Sequence, residues 1–155
     1  KTWLNEYSES HQNPVNKRLH WICIPPIVFS VYLALRCIPV GTDLINAGTV
    51  SAALALAYYA RLSWQLAVGM VVIFALMFTG VQAIYAALGG QAAWLAAAIF
   101  VLAWIGQFIG HEYEGAKPSF FKDMQFLMIG PLWLLADVYR RAGLPMEAGA
   151  TSARA

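Results

Sequence analysis

The chain has 155 residues, of which 60% are hydrophobic and only 12% charged, about half the charge a soluble domain of this size carries. Its net charge of +2 is too small and too scattered for a nucleic-acid surface. Neither a P-loop pattern nor a GxGxxG run occurs, so no phosphate-binding loop is expected.

The first twenty residues are polar, which argues against a signal peptide in the sequence shown. They read as an N-terminal polar helix in which Tyr7 and His11, four apart, share a face. Asn13-Pro14 breaks it and starts the next helix, with Asn13 as cap and Pro14 at the first helical position.

Four apolar stretches follow, at 22–40, 44–60, 64–88 and 92–110. A membrane span needs about 20 apolar residues, with a range of roughly 17 to 25. In lipid only helices satisfy their own backbone groups. The first stretch carries Arg36 near one end, where its stem is expected to snorkel to the interface. The second stretch is the shortest. The connections between stretches are very short, which makes sequential helices antiparallel neighbours. Small residues such as Ala52, Ala53, Ala96 and Ala97 would allow close approach. A fifth apolar piece, 126–136, is too short to span and holds Gly130-Pro131. It is expected to be an interfacial or re-entrant segment, or simply a helix packed on the bundle.

Charge supports four spans. Nine of the ten Lys and Arg then fall on one side, all but Arg36. That asymmetry places both termini in the cytoplasm. The membrane would be a bacterial inner membrane or the endoplasmic reticulum, depending on source. The expected fold class is therefore all-α, an integral membrane bundle of about four transmembrane helices with an N-terminal polar helix and a C-terminal interfacial helix. Residues 1–142 form a single membrane-embedded domain, and 143–155 a disordered tail. If Cys23 and Cys37 lie on one continuous helix, fourteen residues separate them by roughly 21 Å, too far for a disulfide. Trp21, Trp64, Trp94, Trp104 and Trp133 read as interface belt and packing.

The chain has three histidines, His11, His20 and His111, and four spans bring all three to the cytoplasmic face. Each has a polar partner one turn away: Tyr7 with His11, Asn16 with His20, and Gln107 and Glu114 with His111. Such a partner would orient the ring, as metal-bound histidine requires. Three imidazoles suit Fe, Zn, Cu or Ni, and three-ligand sites with open positions suit iron oxygenases. The pattern alone leaves the metal open.

The run from Glu6 to Pro25 contains YxxxHxxxxNxxxHxxxxP. It resembles the opening motif of the Mpo-like family. The run from Trp104 to Phe120 and the later Gln125 to Pro131 are similar to its other motifs. The resemblance covers nearly the whole chain. It implies a membrane-bound, Fe(II)-dependent dioxygenase that shortens 2-hydroxy fatty acids by one carbon, an alpha-oxidation, with His11, His20 and His111 as its essential, metal-holding histidines. Some members carry the acidic residue four positions after the last histidine, whereas Glu114 follows by three.

A 2-hydroxy acid offers a carboxylate and a hydroxyl oxygen to one metal, with dioxygen as the second substrate. A fatty acid keeps its head at the interface and its tail in the membrane lipid. Lys17, Arg18, Lys117 and Lys122 are candidates to attract the carboxylate, although topology alone also expects basic residues there. Two other classes fit the same residues. One is a zinc-dependent lipid hydrolase with Glu114 as base. The other is a non-enzymatic metal- or haem-binding membrane protein.

Overall fold

A computed structural model describes residues 14–114 and 129–144, without the side chains of Asn16, Lys17, His20, His111, Tyr113, Glu114, Ile129 and Gly130. Every described element is helical: α1 Pro14–Arg36, α2 Ala47–Leu62, α3 Trp64–Leu88, a 3-10 turn Gly89–Gln91, α4 Ala92–Glu114 and α5 Ile129–Ala142. The expected N-terminal polar helix, the cap Asn13 and most of the tail lie outside the described residues.

Helix α1 begins at Pro14, whose fixed φ and missing N–H suit a first helical position. It packs most extensively on α4 and also against α2 and α3. Cys23 and Ile27 share a buried cluster with Ala103 and Trp104. Further along, Tyr32 and Leu33 share one with Ala92 and Ala96. Rising numbers on α1 meet falling numbers on α4, so the two helices are antiparallel.

One residue, Ser63, joins α2 to α3. Its N–H donates to the Tyr59 carbonyl at 2.8 Å, closing α2. Its Oγ accepts from the Leu66 N–H at 3.4 Å, opening α3. Serving as both caps, it turns the chain within a single extended residue.

Helix α5 is amphipathic and packs on the bundle, as one expected alternative for this segment has it. Leu132, Trp133, Leu134 and Leu135 are buried in the same core as Ile24, Leu66 and Met70. The Tyr139 hydroxyl donates to the Gln65 carbonyl at 2.8 Å, tying α5 to the start of α3.

The apolar run Trp64–Gly110 is, among the described residues, the stretch long and apolar enough to cross a membrane by length and composition. The 3-10 turn divides it into α3, 25 residues, and α4, 23 residues. The apolar part of α1, Trp21–Arg36, is shorter. Helix α2 has 16 residues, roughly 24 Å against a hydrocarbon core of about 30 Å. It starts three residues after the apolar stretch does, because Asn46 and Thr49 form a reciprocal capping box there.

Arg36 is paired within the protein at the end of α1. It is 6% exposed, with Nε donating to Gln82 Oε1 at 2.9 Å, a terminal nitrogen on Asp43 Oδ1 at 2.5 Å, and its guanidinium 3.8 Å from the Tyr85 ring centroid. The 37–46 loop folds back tightly enough to deliver Asp43. Thr42 N–H donates to the Ile45 carbonyl at 2.7 Å, and Gly41 takes φ +82°, where a Cβ would lie 2.0 Å from that carbonyl oxygen. Only glycine fits such a position.

Candidate metal centre

The register of α1 against α4 decides where the histidine-bearing positions fall. A Cβ built on Gly106 would lie 2.5 Å from Cys23 Sγ, so these positions are in direct contact. His20 precedes Cys23 by three residues, and His111 follows Gly106 by five. Along antiparallel helices both steps lead the same way, to about 4.5 Å and 7.5 Å beyond the contact. The backbone thus brings positions 20 and 111 to one end of the bundle, ninety residues apart in sequence.

His11 and Tyr7 lie outside the described residues, as do Lys117 and Lys122. For Asn16, Lys17, His20, His111 and Glu114 the helical position is described and the side chain is not. Arg18 is exposed at the same end. Among the described residues no three His, Cys, Asp or Glu side chains gather at one point.

Gln107 is the candidate whose side chain is described. It is 6% exposed and lies on the buried stripe of α4 with Ala103 and Gly110, the face packed on α1. Its Oε1 is buried and, among the described residues, accepts no hydrogen bond. Such an orphan is uncommon, since buried polar atoms are normally satisfied. An amide oxygen can only accept. One turn before position 111, it is an acceptor with the chemistry to take an imidazole or water donor. The orphaned acceptor therefore fits a metal held by neighbouring histidines, the donor that metal-site histidines need.

The helix above supplies a further signal. Pro25 and Pro26 lie inside α1. Lacking N–H groups, they remove the helical donors to the Trp21 and Ile22 carbonyls, so backbone acceptors open directly after position 20.

This end of the bundle is basic. Arg140 and Arg141 share the single carboxylate of Asp137, at 3.4 Å and 3.1 Å, leaving a net positive charge. Arg141 also stands over the Trp21 ring at 5.9 Å. Neither arginine was among the residues expected to meet a carboxylate. The available signal was the basic pair in the last turn of an amphipathic helix, which sequence reading absorbs into the topology rule. The other charged arrangement, Arg36 with Asp43, sits at the opposite end.

This end of the bundle thus combines surplus positive charge with a buried amide oxygen unsatisfied among the described residues. A family model described as 2-hydroxy-palmitic acid dioxygenase Mpo1-like matches residues 1–142. No curated protein and no solved structure matches the chain.

Proposed function

The chain belongs to the Mpo1-like family, and from that premise we propose that it is an Fe(II)-dependent dioxygenase. It takes long-chain 2-hydroxy fatty acids to acids one carbon shorter at the cytoplasmic membrane face. The observation that carries this reading is the family match over residues 1–142, which covers every residue of the histidine motifs. The packing of α1 on α4 supports it, because it gathers positions 20 and 111.

His11, His20 and His111 would hold the metal. When bound, Fe(II) supplies the activation of dioxygen. The chain's own groups do the rest. Three neutral imidazoles leave the ion's charge uncompensated, so the site favours an anion with a second donor atom, which a 2-hydroxy acid has. Gln107 Oε1 accepts a proton donor at the site and orients it. Arg18, Arg140 and Arg141 draw the carboxylate to the interface. The stoichiometry closes: a 2-hydroxy acid and one dioxygen balance to the shorter acid, carbon dioxide and water.

The four-span topology belongs to the same proposal. The 37–46 loop carries no basic residue, and Asp43 neutralises Arg36, so the far end of the bundle has no net positive charge to oppose the rule. Helices α1 and α2, short on apolar length alone, would enter the membrane through their packing, α1 on α4 and α2 on α3.

The test gives iron-loaded, reconstituted protein a 2-hydroxy acid and the matching non-hydroxylated acid. Oxygen uptake and product chain length are measured. Turnover of the hydroxy acid alone, with oxygen consumed, is expected. Equal turnover of both, or product without oxygen, rejects the dioxygenase reading and favours a zinc hydrolase.

A further inference from the structure

Two grooves lie on one face of α1. The first, about 520 Å³, is walled by Trp21, Pro25 and Val28 of α1, with Met70 and Met77 of α3 and Leu135 of α5. The second, about 550 Å³, is walled by Val28, Tyr32 and Leu35 of α1, with Ala52 and Ala55 of α2. Both are half-open grooves rather than enclosed cavities. They meet at Val28 and Pro131, which line both.

The α1 wall is a single stripe. Positions 21, 25, 28, 32 and 35 step by four and three residues, so they stack on one helical face. From 21 to 35 the stripe runs about 21 Å. An extended hydrocarbon chain advances roughly 1.27 Å per bond, as the 3.8 Å between successive Cα atoms over three bonds implies. The stripe therefore matches a chain of about sixteen bonds.

The two ends differ chemically. At Trp21, next to position 20, stand Arg141 over the indole and Arg140, both sharing one Asp137 carboxylate. This mouth has surplus positive charge. The far end is narrowed by packed side chains. The Tyr32 ring lies against Gly48, where an added Cβ would come within 3.0 Å, and Leu35 is followed by the buried, paired Arg36. A positive mouth, an apolar run and a narrowed far end complement one occupant, a single-chain carboxylic acid held head-first at the histidine end.

We propose that the two grooves form one slot for the acyl chain of the 2-hydroxy acid, and that its narrowed end at Tyr32, Leu35 and Gly48 sets the longest chain accepted. This rests on the proposed activity for the identity of the head group, and the test below does not require that activity.

The probes are photoreactive saturated fatty acids of twelve, sixteen and twenty carbons. They lack the 2-hydroxyl and need neither iron nor oxygen. The full chain is reconstituted, cross-linked, and its labelled peptides mapped. The sixteen-carbon probe should label the α1 and α2 segments around Val28–Leu35 and Ala52–Ala55, and palmitate should compete. Ala55→Leu should cut capture of that probe about tenfold, because two displaced methylenes at ~0.8 kcal/mol each amount to roughly that factor. Capture of the twelve-carbon probe should persist, which also shows that the variant folds. Leu35→Ala should conversely improve capture of the twenty-carbon probe.

Capture independent of chain length, or unchanged in both variants, overturns the slot. So does a photoreactive phosphatidylcholine labelling the same peptides as efficiently, which would make the grooves ordinary lipid contacts. If capture behaves as expected but no hydroxy acid is turned over, the slot stands and the dioxygenase reading falls. If turnover occurs with a length profile that neither variant shifts, the activity stands and the slot falls.

Discussion

Cys23 and Gly106 lock α1 to α4: a Cβ at position 106 would stand 2.5 Å from the Cys23 sulfur. The contact lies one to two turns from positions 20 and 111, so it sets how the two histidine-bearing helix ends meet. Overpacking such a contact costs typically 1–3 kcal/mol. Gly106→Val should lower thermal stability in detergent by about that amount, and Cys23→Ala should recover part of it. A Gly106→Val protein as stable as wild type would mean that the helices are free to slide, and the inferred register would be lost.

The three histidines should act as one site. Replacing His11, His20 or His111 with Ala should each remove most bound iron while the protein still inserts in membranes. Metal analysis of anaerobically purified protein measures this. Full metal content in two of the three single variants excludes a shared centre. Loss of Tyr7, Asn16 or Glu114 should weaken metal binding or activity by about 10- to 100-fold, the usual effect of groups that orient ligands.

Topology is tested by cysteine accessibility in a background lacking Cys23 and Cys37. Thr42→Cys and Leu144→Cys both lie on exposed positions at opposite ends of the bundle. A membrane-impermeant reagent confined to the non-cytoplasmic face of sealed vesicles should label position 42 only. Labelling of both from one side removes the four-span reading.

Much of the helix pattern is legible in the sequence, because hydrophobic runs are interrupted only where polar groups cap. The stretch 64–88 coincides with α3, Trp64–Leu88, since Ser63 and Gly89 leave no ambiguity at either end. The stretch 44–60 does not coincide with α2, Ala47–Leu62. Leu44 and Ile45 are apolar but stand in the loop, exposed, because Asn46 captures the Thr49 N–H at 3.1 Å and starts the helix later. Hydropathy cannot see that competition. The Arg36 network is invisible for another reason: its partners come from two separate segments, Asp43 from the 37–46 loop and Gln82 and Tyr85 from α3, and only tertiary packing unites them. For the site, spacing one turn apart identifies Gln107 as a partner of position 111, whereas the mouth formed by Arg140, Arg141 and Trp21 requires knowing that α5 folds back on α1.

Arg36 should matter for stability and not for chemistry, being at the end away from positions 20 and 111. Removing it leaves Gln82 without its donor and exposes a cavity against Tyr85. Hydrogen bonds to charged groups contribute about 1.5–3 kcal/mol, though Asp43 is largely exposed and its share is at the low end. Arg36→Ala should therefore destabilise the protein by about 1–3 kcal/mol. Arg36→Lys should restore little, because an ammonium cannot span Gln82 and Asp43 in the fork geometry. Turnover per folded molecule should stay within about twofold of wild type, a shift of less than 0.5 kcal/mol in barrier. A specific loss of turnover without loss of stability would place Arg36 in the site instead.

Gln107 offers the sharpest discrimination, because its two roles predict opposite signs. Its Oε1 is buried without a partner among the described residues, which costs about 1–3 kcal/mol when no donor arrives. Gln107→Leu keeps the apolar contacts with α1 and deletes the orphaned acceptor. In metal-free protein this substitution should raise thermal stability by up to that amount. In iron-loaded protein the same acceptor has a donor to orient, so Gln107→Leu should lower iron affinity or turnover by about 10- to 100-fold. Gln107→Glu keeps an acceptor in nearly the same place and should retain more function than the leucine variant. Stability is read by thermal denaturation with and without iron, and affinity by competition with a chelator. A leucine variant that destabilises both states equally and leaves iron affinity untouched would make Gln107 a packing residue. The buried acceptor would then have no bearing on the metal, and the fit between α4 and a histidine-held ion would have to be sought elsewhere on the helix.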